Sequence, residues 1–278
     1  MKSMDFQSSL LRSLTVELIM TSKDRFVTCK DDEPITSVVD KLKKYDILLV
    51  SSEKIRYFVS KTRVEWLLEE NRSARVREVK QPISDNHQIS GDEPIYQYLL
   101  QRKEPVFVTE QNEVIGMVTP ADLNKIPSKM LFYILISYFE QLLIKSIKDL
   151  ELTEKDIEGC IGFTRWWQAK GRHEQATREN FQLSLIECLN TDDLIDLACK
   201  RPDIRRLLNY RSESEARENL KPLVYLRNKV MHAGHLIIQN EQQLIKRRAE
   251  YERIRQHIFD LACDTATLID VSHIIPRV

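Results

Sequence analysis

In the stretch LVYLRNKVMHAGHLI, Leu223–Ile237, an arginine, an asparagine and two histidines interrupt an otherwise apolar helical pattern. Imidazole titrates near neutrality and carries protons, while guanidinium is a permanent fork of donors that suits phosphoryl oxygens. Asn228 and His232 are four residues apart, so a continuous helix puts them on one face. Arg227 is offset around the helix, but its long side chain reaches across. Polar groups stacked beside Leu223, Val224, Leu226, Val230 and Met231 require a polar seam or a cleft.

The elements that must hold such a cleft follow from the rest of the chain. Its 278 residues suffice for two domains, and the 42% hydrophobic and 30% charged fractions are those of an ordinary soluble protein. Lysine plus arginine equals aspartate plus glutamate, 42 of each, and the balance holds in either half. No global field gathers nucleic acid or anionic membrane, so any RNA contact must come from a local patch. The five cysteines are scattered and odd in number, which points to reduced thiols filling cores in a cytoplasmic protein. Charges interrupt the apolar residues at the N-terminus, arguing against a signal peptide. The longest apolar run, Met130–Phe139, falls short of the roughly 20 residues a bilayer requires and is ended by Glu140, so a buried helix and no membrane partner are expected.

The first half contains an internal repeat. DDEPITSVVDKLKKYDILLVSSEKIRYFVSKTRVEWL, from Asp31, matches GDEPIYQYLLQRKEPVFVTEQNEVIGMVTPADLNKI, from Gly91. Asp32–Ile35 aligns with Asp92–Ile95, Ser60 with Thr119 and Arg63 with Asp122. Proline just inside each helix start and the alternating short strands predict two β-α-β-β-α units. The lead-in TVELIMTSKDRFVTCKDDEPI and the ending GMVTPADL resemble a tandem of cystathionine-β-synthase-type (CBS) domains, a Bateman module, over Val16–Pro127 with repeats at about 16–70 and 76–127. The resemblance implies an adenine nucleotide of the AMP, ADP or ATP type as regulatory ligand. In it a carboxylate at Asp122 accepts ribose hydroxyls, and the hydroxyl of Thr119 meets phosphate beside a helix N-terminus. Ser60 holds the hydroxyl position of the first repeat, but Arg63 replaces the acceptor, which puts an equivalent second site in doubt. The rival is a scaffold with an empty cleft.

From Ser128 strand signals stop and apolar residues recur at three and four, predicting a bundle over 128–278. Its expected helices are SKMLFYILISYFEQLLIKSIKDL capped by Ser128, TREN-FQLSLIECL, DDLIDLACK, SEARENLKPLVYLRNKVMH and NEQQLIKRRAEYERIRQHIFDLACDTATLI, with CIGFTRWWQAKG as the loop or short element between the first two. RNKVMH in the penultimate helix resembles the motif of HEPN domains (higher eukaryotes and prokaryotes nucleotide-binding), arginine followed at once by asparagine and then, after four intervening residues in all, by histidine. The fold class these resemblances imply is an α+β CBS-domain pair followed by an all-α, HEPN-like bundle.

The HEPN resemblance implies a metal-independent endoribonuclease with no catalytic cofactor. In it His232 is the acid or base, Arg227 the phosphate clamp and Asn228 the orienting group; His235 and Glu140 are auxiliary candidates. One copy supplies one good proton carrier, whereas in-line cleavage uses two transfers, so a homodimer with RNA as substrate is expected. The run Lys246–Gln256 is read as an RNA track or a solvated face laced by ion pairs, and Trp166 and Trp167 as base-stacking or packing groups. By analogy with other sensor fusions, the setting is bacterial stress or anti-phage defence. The rival function is a catalytically inactive dimerisation or nucleotide-binding module.

Overall fold

The computed structural model describes residues 9–264 apart from 53, 71–72, 101–105 and 233. They separate into two compact units, Arg12–Ser128 and the chain from Lys129 onward, which Leu11 joins.

The first unit is α+β. Its first sheet has the order β2 (Thr28–Cys29), β3 (Ile47–Val50), β4 (Tyr57–Ser60) and β5 (Gln81–Pro82), with helices α1 (Ile35–Lys44) and α2 (Lys61–Glu69) attached. The second runs β6 (Gln88–Ser90), β7 (Val106–Glu110), β8 (Glu113–Val118) and β1 (Thr21–Ser22). Each sheet therefore borrows its last strand from the lead-in of the other repeat: Thr21 pairs with Met117, and Phe58 with Gln81.

Period-2 alternation explains why these strands are apolar throughout. Leu48, Val50 and Val59 turn toward a cluster with Val38, Leu42 and Val64. Leu49 and Phe58 turn the other way, onto Phe107 and Val114 of the second sheet, with the two phenyl rings 5.3 Å apart. The glycine of GMVT is a product of this packing. A Cβ on Gly116 would stand 2.9 Å from the Thr21 carbonyl and would run into the Met20 sulfur. Each proline lies one residue earlier than expected: Pro34 is the N-cap of α1 with extended backbone, φ −63° and ψ 143°, and its carbonyl accepts the Ser37 N–H.

The second region is largely helical, in α3 (Ile126–Lys148), α4 (Glu154–Ile161), α5 (Phe163–Arg178), α6 (Thr191–Lys200), α7 (Pro202–Leu207), α8 (Glu213–Met231) and α9 (Glu241–Asp264). Several sequence expectations are corrected here. Ser128 does not cap α3. The helix starts at Ile126, with Pro127 in the first turn, where its missing N–H costs nothing, and Ser128 is buried. The helix runs on past Glu140 as expected, and by length and composition its 23 residues are able to cross a membrane. Much of it is buried within the fold, however, through residues such as Phe132, Phe139, Leu143 and Ile147.

The segment expected as a loop or short element instead ends α4 and opens the 16-residue α5, the two helices being set apart by Gly162 at φ 85°. Asn180, left-handed at φ 62°, follows its end, and only a 3₁₀ turn at Ile186–Cys188 remains of the helix expected next. Trp166 is buried rather than available to a base, whereas Trp167 is exposed, edge-on to Phe163. In the basic run of α9, Arg247 and Glu250 are 2% and 1% exposed and paired with each other, so that part is neither an RNA track nor a solvated face. Cys29, Cys160, Cys188 and Cys199 are buried free thiols; the side chain of Cys263 lies outside the described residues.

Candidate functional site

The helix carrying RNKVMH begins where Ser212 accepts the Glu215 N–H at 3.1 Å, passes through Pro222, and buries Leu220, Leu223 and Leu226. Arg227 and Asn228 follow this apolar stripe and line a pocket of about 340 Å³ with Val224. The opposite wall is the start of α6: Asn190, Thr191 and Asp192. The N–H of Asn190, the N-cap, donates to Asp193 at 3.1 Å, and the buried Thr191 hydroxyl donates to the carboxylate of Glu140. Glu140 thus joins Arg227 and Asn228 through Thr191.

Beneath this pocket lies a closed ionic network. Asp192 accepts from Lys221 at 2.6 Å and from Arg165 at 3.1 Å. Asp196 takes Arg165 at 2.6 Å, Arg217 at 3.1 Å and Lys221 at 3.0 Å. Burial alone would push the Asp196 carboxyl up, but hydrogen bonds from Arg165 and Lys221 and their charges outweigh it and hold it below the usual range. The acids are thereby committed to other cations. Among the described residues Arg227 has no ion-pair partner. A guanidinium, a carboxamide and the N-terminal end of α6 face one volume, with the Asp192 carboxylate on the same wall held by Lys221 and Arg165; the donors suit an anion.

His232 is not among the residues lining this pocket. The helix ends at Met231, and His232 is its C-cap with φ −103° and ψ 114°, so the one-face relation expected between Asn228 and His232 does not carry through. His232 is brought instead to His235: both are exposed, with ring centroids 5.0 Å apart. The His235 N–H donates to the His232 carbonyl at 3.1 Å.

In the α+β unit, Thr119 is the N-cap of the 3₁₀ turn Pro120–Asn124. Its N–H and hydroxyl donate to one oxygen of Asp122, at 2.8 and 2.9 Å. The other oxygen accepts from the Thr21 hydroxyl at 3.2 Å and pairs with Lys125 at 2.7 Å. Four donors fill the roughly four lone-pair positions of a carboxylate. Asp122 is 5% exposed, and Lys125, the most exposed of the four donors, also donates to the carbonyls of Ile19 and Met20. In the first repeat Ser60 is the N-cap of α2 without a side-chain cap bond, and the Arg63 guanidinium lies 5.0 Å over the Trp66 ring.

Three residues escaped the sequence reading. Thr191 and Asp192 supply the pocket's far wall, and TDD ahead of an apolar run was their signal as a helix start. Lys129 is buried, and its signal is that no other charge stands between Lys125 and Glu140. Among the described residues no group of three or more His, Cys, Asp or Glu is placed to hold a metal ion.

The architecture is an α+β module of two strand-exchanged repeats joined to a helical unit. No family model matches the chain, and no curated protein matches it. Among solved structures it is similar to CBSX2 in complex with AMP, at 15% identity and a TM-score of 0.33, covering 39% of this chain and 92% of that one. It is also similar to the CBS domain of the bacterial CNNM/CorC family Mg2+ transporter in complex with ATP, at 19% identity and 0.34, covering 44% and 92%. A CBS-containing hemolysin-like protein of Oenococcus oeni PSU aligns at 12% identity and 0.35, covering 43% and 93%.

Proposed function

We propose that the chain is a metal-independent endoribonuclease of the HEPN type, acting as a homodimer under control of a CBS pair that binds an adenine nucleotide. The observation that carries the catalytic half is the Arg227–Asn228 pocket, where a guanidinium with no carboxylate of its own faces a helix start. In this reaction the ribose 2′-oxygen attacks phosphorus as its proton passes to a base, and the P–O5′ bond breaks as a proton reaches the leaving oxygen. The products are a 2′,3′-cyclic phosphate and a 5′-hydroxyl. Arg227 and Asn228 hold the phosphoryl oxygens as charge builds on them. His232 carries the proton, and the second protomer supplies the second carrier.

The regulatory half rests on the DEPI repeat, the GMVTPADL ending and the Thr119–Asp122 corner. Six residues of chain, Leu123 to Ser128, lead from that corner to Lys129, so a nucleotide that moves Lys125 has a short covalent route onward.

A second reading, a catalytically silent dimerisation module, is favoured by one fact: His232 lies outside the pocket that Arg227 lines. Incubation of the pure chain with defined RNAs in EDTA separates the two. Cleavage to cyclic-phosphate ends that His232→Ala abolishes is expected; full activity in that variant overturns His232 as the proton carrier, and no cleavage by the wild type with any adenine nucleotide supports the silent module. For the regulatory half, calorimetry with AMP, ADP and ATP should show Asp122→Ala losing about 1.5–3 kcal/mol of affinity, with Arg63→Ala losing much less. Equal losses would sink the assignment of Asp122. A glycine and serine insert after Pro127 is expected to weaken the response of cleavage to nucleotide while sparing binding.

A further inference from the structure

The last carbonyls of a helix have no intrahelical partner and carry the negative end of its dipole. After Met231 no glycine stands at the usual capping position, because His232 is there in extended conformation. The turn that follows is held by ammonium groups. Lys129, on α3, donates to the carbonyls of both His232, at 3.2 Å, and His235, at 2.8 Å. Lys229, from the last turn of α8 itself, donates to the Leu236 carbonyl at 3.2 Å. Lys129 is only 7% exposed. An ammonium buried in an otherwise apolar helical stretch is costly unless its donors are used, and a leucine or methionine would fill the same space more cheaply. These donors are spent on the backbone that carries the two imidazoles.

We infer that Lys129 is a positioning residue for the histidine pair. By fixing the carbonyls at both ends of the turn, its ammonium sets the separation of the His232 and His235 rings. It thereby holds one or both as proton carriers over a phosphodiester; this last step rests on the ribonuclease reading. A displacement of about 1 Å in such a group is enough to cost roughly 100-fold in rate.

The test compares the full-length wild type with Lys129→Met, which keeps the volume and removes the donors, and Lys129→Arg, which keeps the charge. Histidine ring signals are followed by heteronuclear NMR and assigned with His232→Ala and His235→Ala; cleavage of a defined single-stranded RNA is followed in parallel. Lys129→Met is expected to move the ring signals of His232 and His235 and leave those of His257 in place. It should lower kcat by about 10- to 100-fold with KM within about twofold, and Lys129→Arg should recover part of the loss. Unchanged His232 and His235 signals in Lys129→Met, or a loss confined to KM, overturns the inference. If the wild type cleaves no RNA, the ribonuclease reading fails while the ring signals still decide the clamp. If Lys129→Met does not fold, Lys129→Arg decides: its longer fork shifts the same two rings if Lys129 positions them and leaves them unmoved if it does not.

Discussion

The two units handle buried charge differently. Among the described residues of the α+β unit the buried charged one is Asp122, and three of the four donors it accepts from belong to its own turn, on Thr119 and Lys125. In the helical unit Lys129, Asp193, Asp196, Arg247, Glu250 and His257 are all buried, and Asp196 binds cations from two other helices. Local satisfaction makes a corner that tolerates the loss of one partner. Networks that tie helices together make an interior in which one deletion strands a charge.

The sharpest test of this contrast is Glu250→Ala, which leaves the Arg247 guanidinium buried and alone. Its expected cost is about 3–5 kcal/mol in denaturant unfolding, whereas replacing both partners, Arg247→Met with Glu250→Leu, should be close to neutral. Lys125→Ala, which removes one of four donors to Asp122, should cost under about 1 kcal/mol. A small effect at Glu250 would erase the distinction.

Acid gives the next largest effect. His257 is buried, its Nε2 2.8 Å from the Tyr210 hydroxyl, and burial, helped by the charge of Arg253, depresses its pKa from 6.5 to about 4. The unfolded chain therefore takes up the proton more readily than the folded one. The stability this residue confers is complete above pH 6.5 and is lost as pH falls toward 4. The loss should approach about 3 kcal/mol across that window, and His257→Gln should flatten it. Probes in the α+β unit, where no such histidine is buried among the described residues, should show little slope over the same range.

The smallest effects compare the two repeats. Asp122→Ala removes the carboxylate that bonds back to Thr119 and should cost about 1 kcal/mol of thermal stability, as cap deletions do. Ser60→Ala at the equivalent corner, where no side-chain cap bond exists, should stay within about 0.5 kcal/mol. Equal costs would mean that the two corners are mechanically alike.

Much of the α+β unit was legible because DEPI and the β-rich runs occur twice, and repetition separates signal from composition. The strand exchange was not, since β1 and β5 are two residues each and too short for alternation to show. Helix α5 was hidden by its own chemistry: only Trp166, Ala169 and Ala176 of its residues are buried, a stripe too thin to read among so many charges. Arg227 and Asn228 stood out as polar intruders, but a pocket needs a second wall, and Asn190–Asp192 lie too far back in the sequence for spacing to connect them. The end of α8 at Met231 was missed because the capping comes from Lys129, a residue remote in sequence.

The borrowing of β1 by the second sheet bears on how the unit is assembled during synthesis. Thr21 leaves the ribosome long before its partner Met117 exists, so of the strand pairings in the unit this one closes the longest loop and carries the largest chain-entropy cost. Until β5 arrives, β4 presents an unpaired edge. A first repeat made alone would keep that edge open, and the lead-in strand of a second copy is the segment shaped to fill it. Truncation between the repeats should therefore yield not two small domains but intermolecular pairs, knitted by the same exchange that normally operates within one chain.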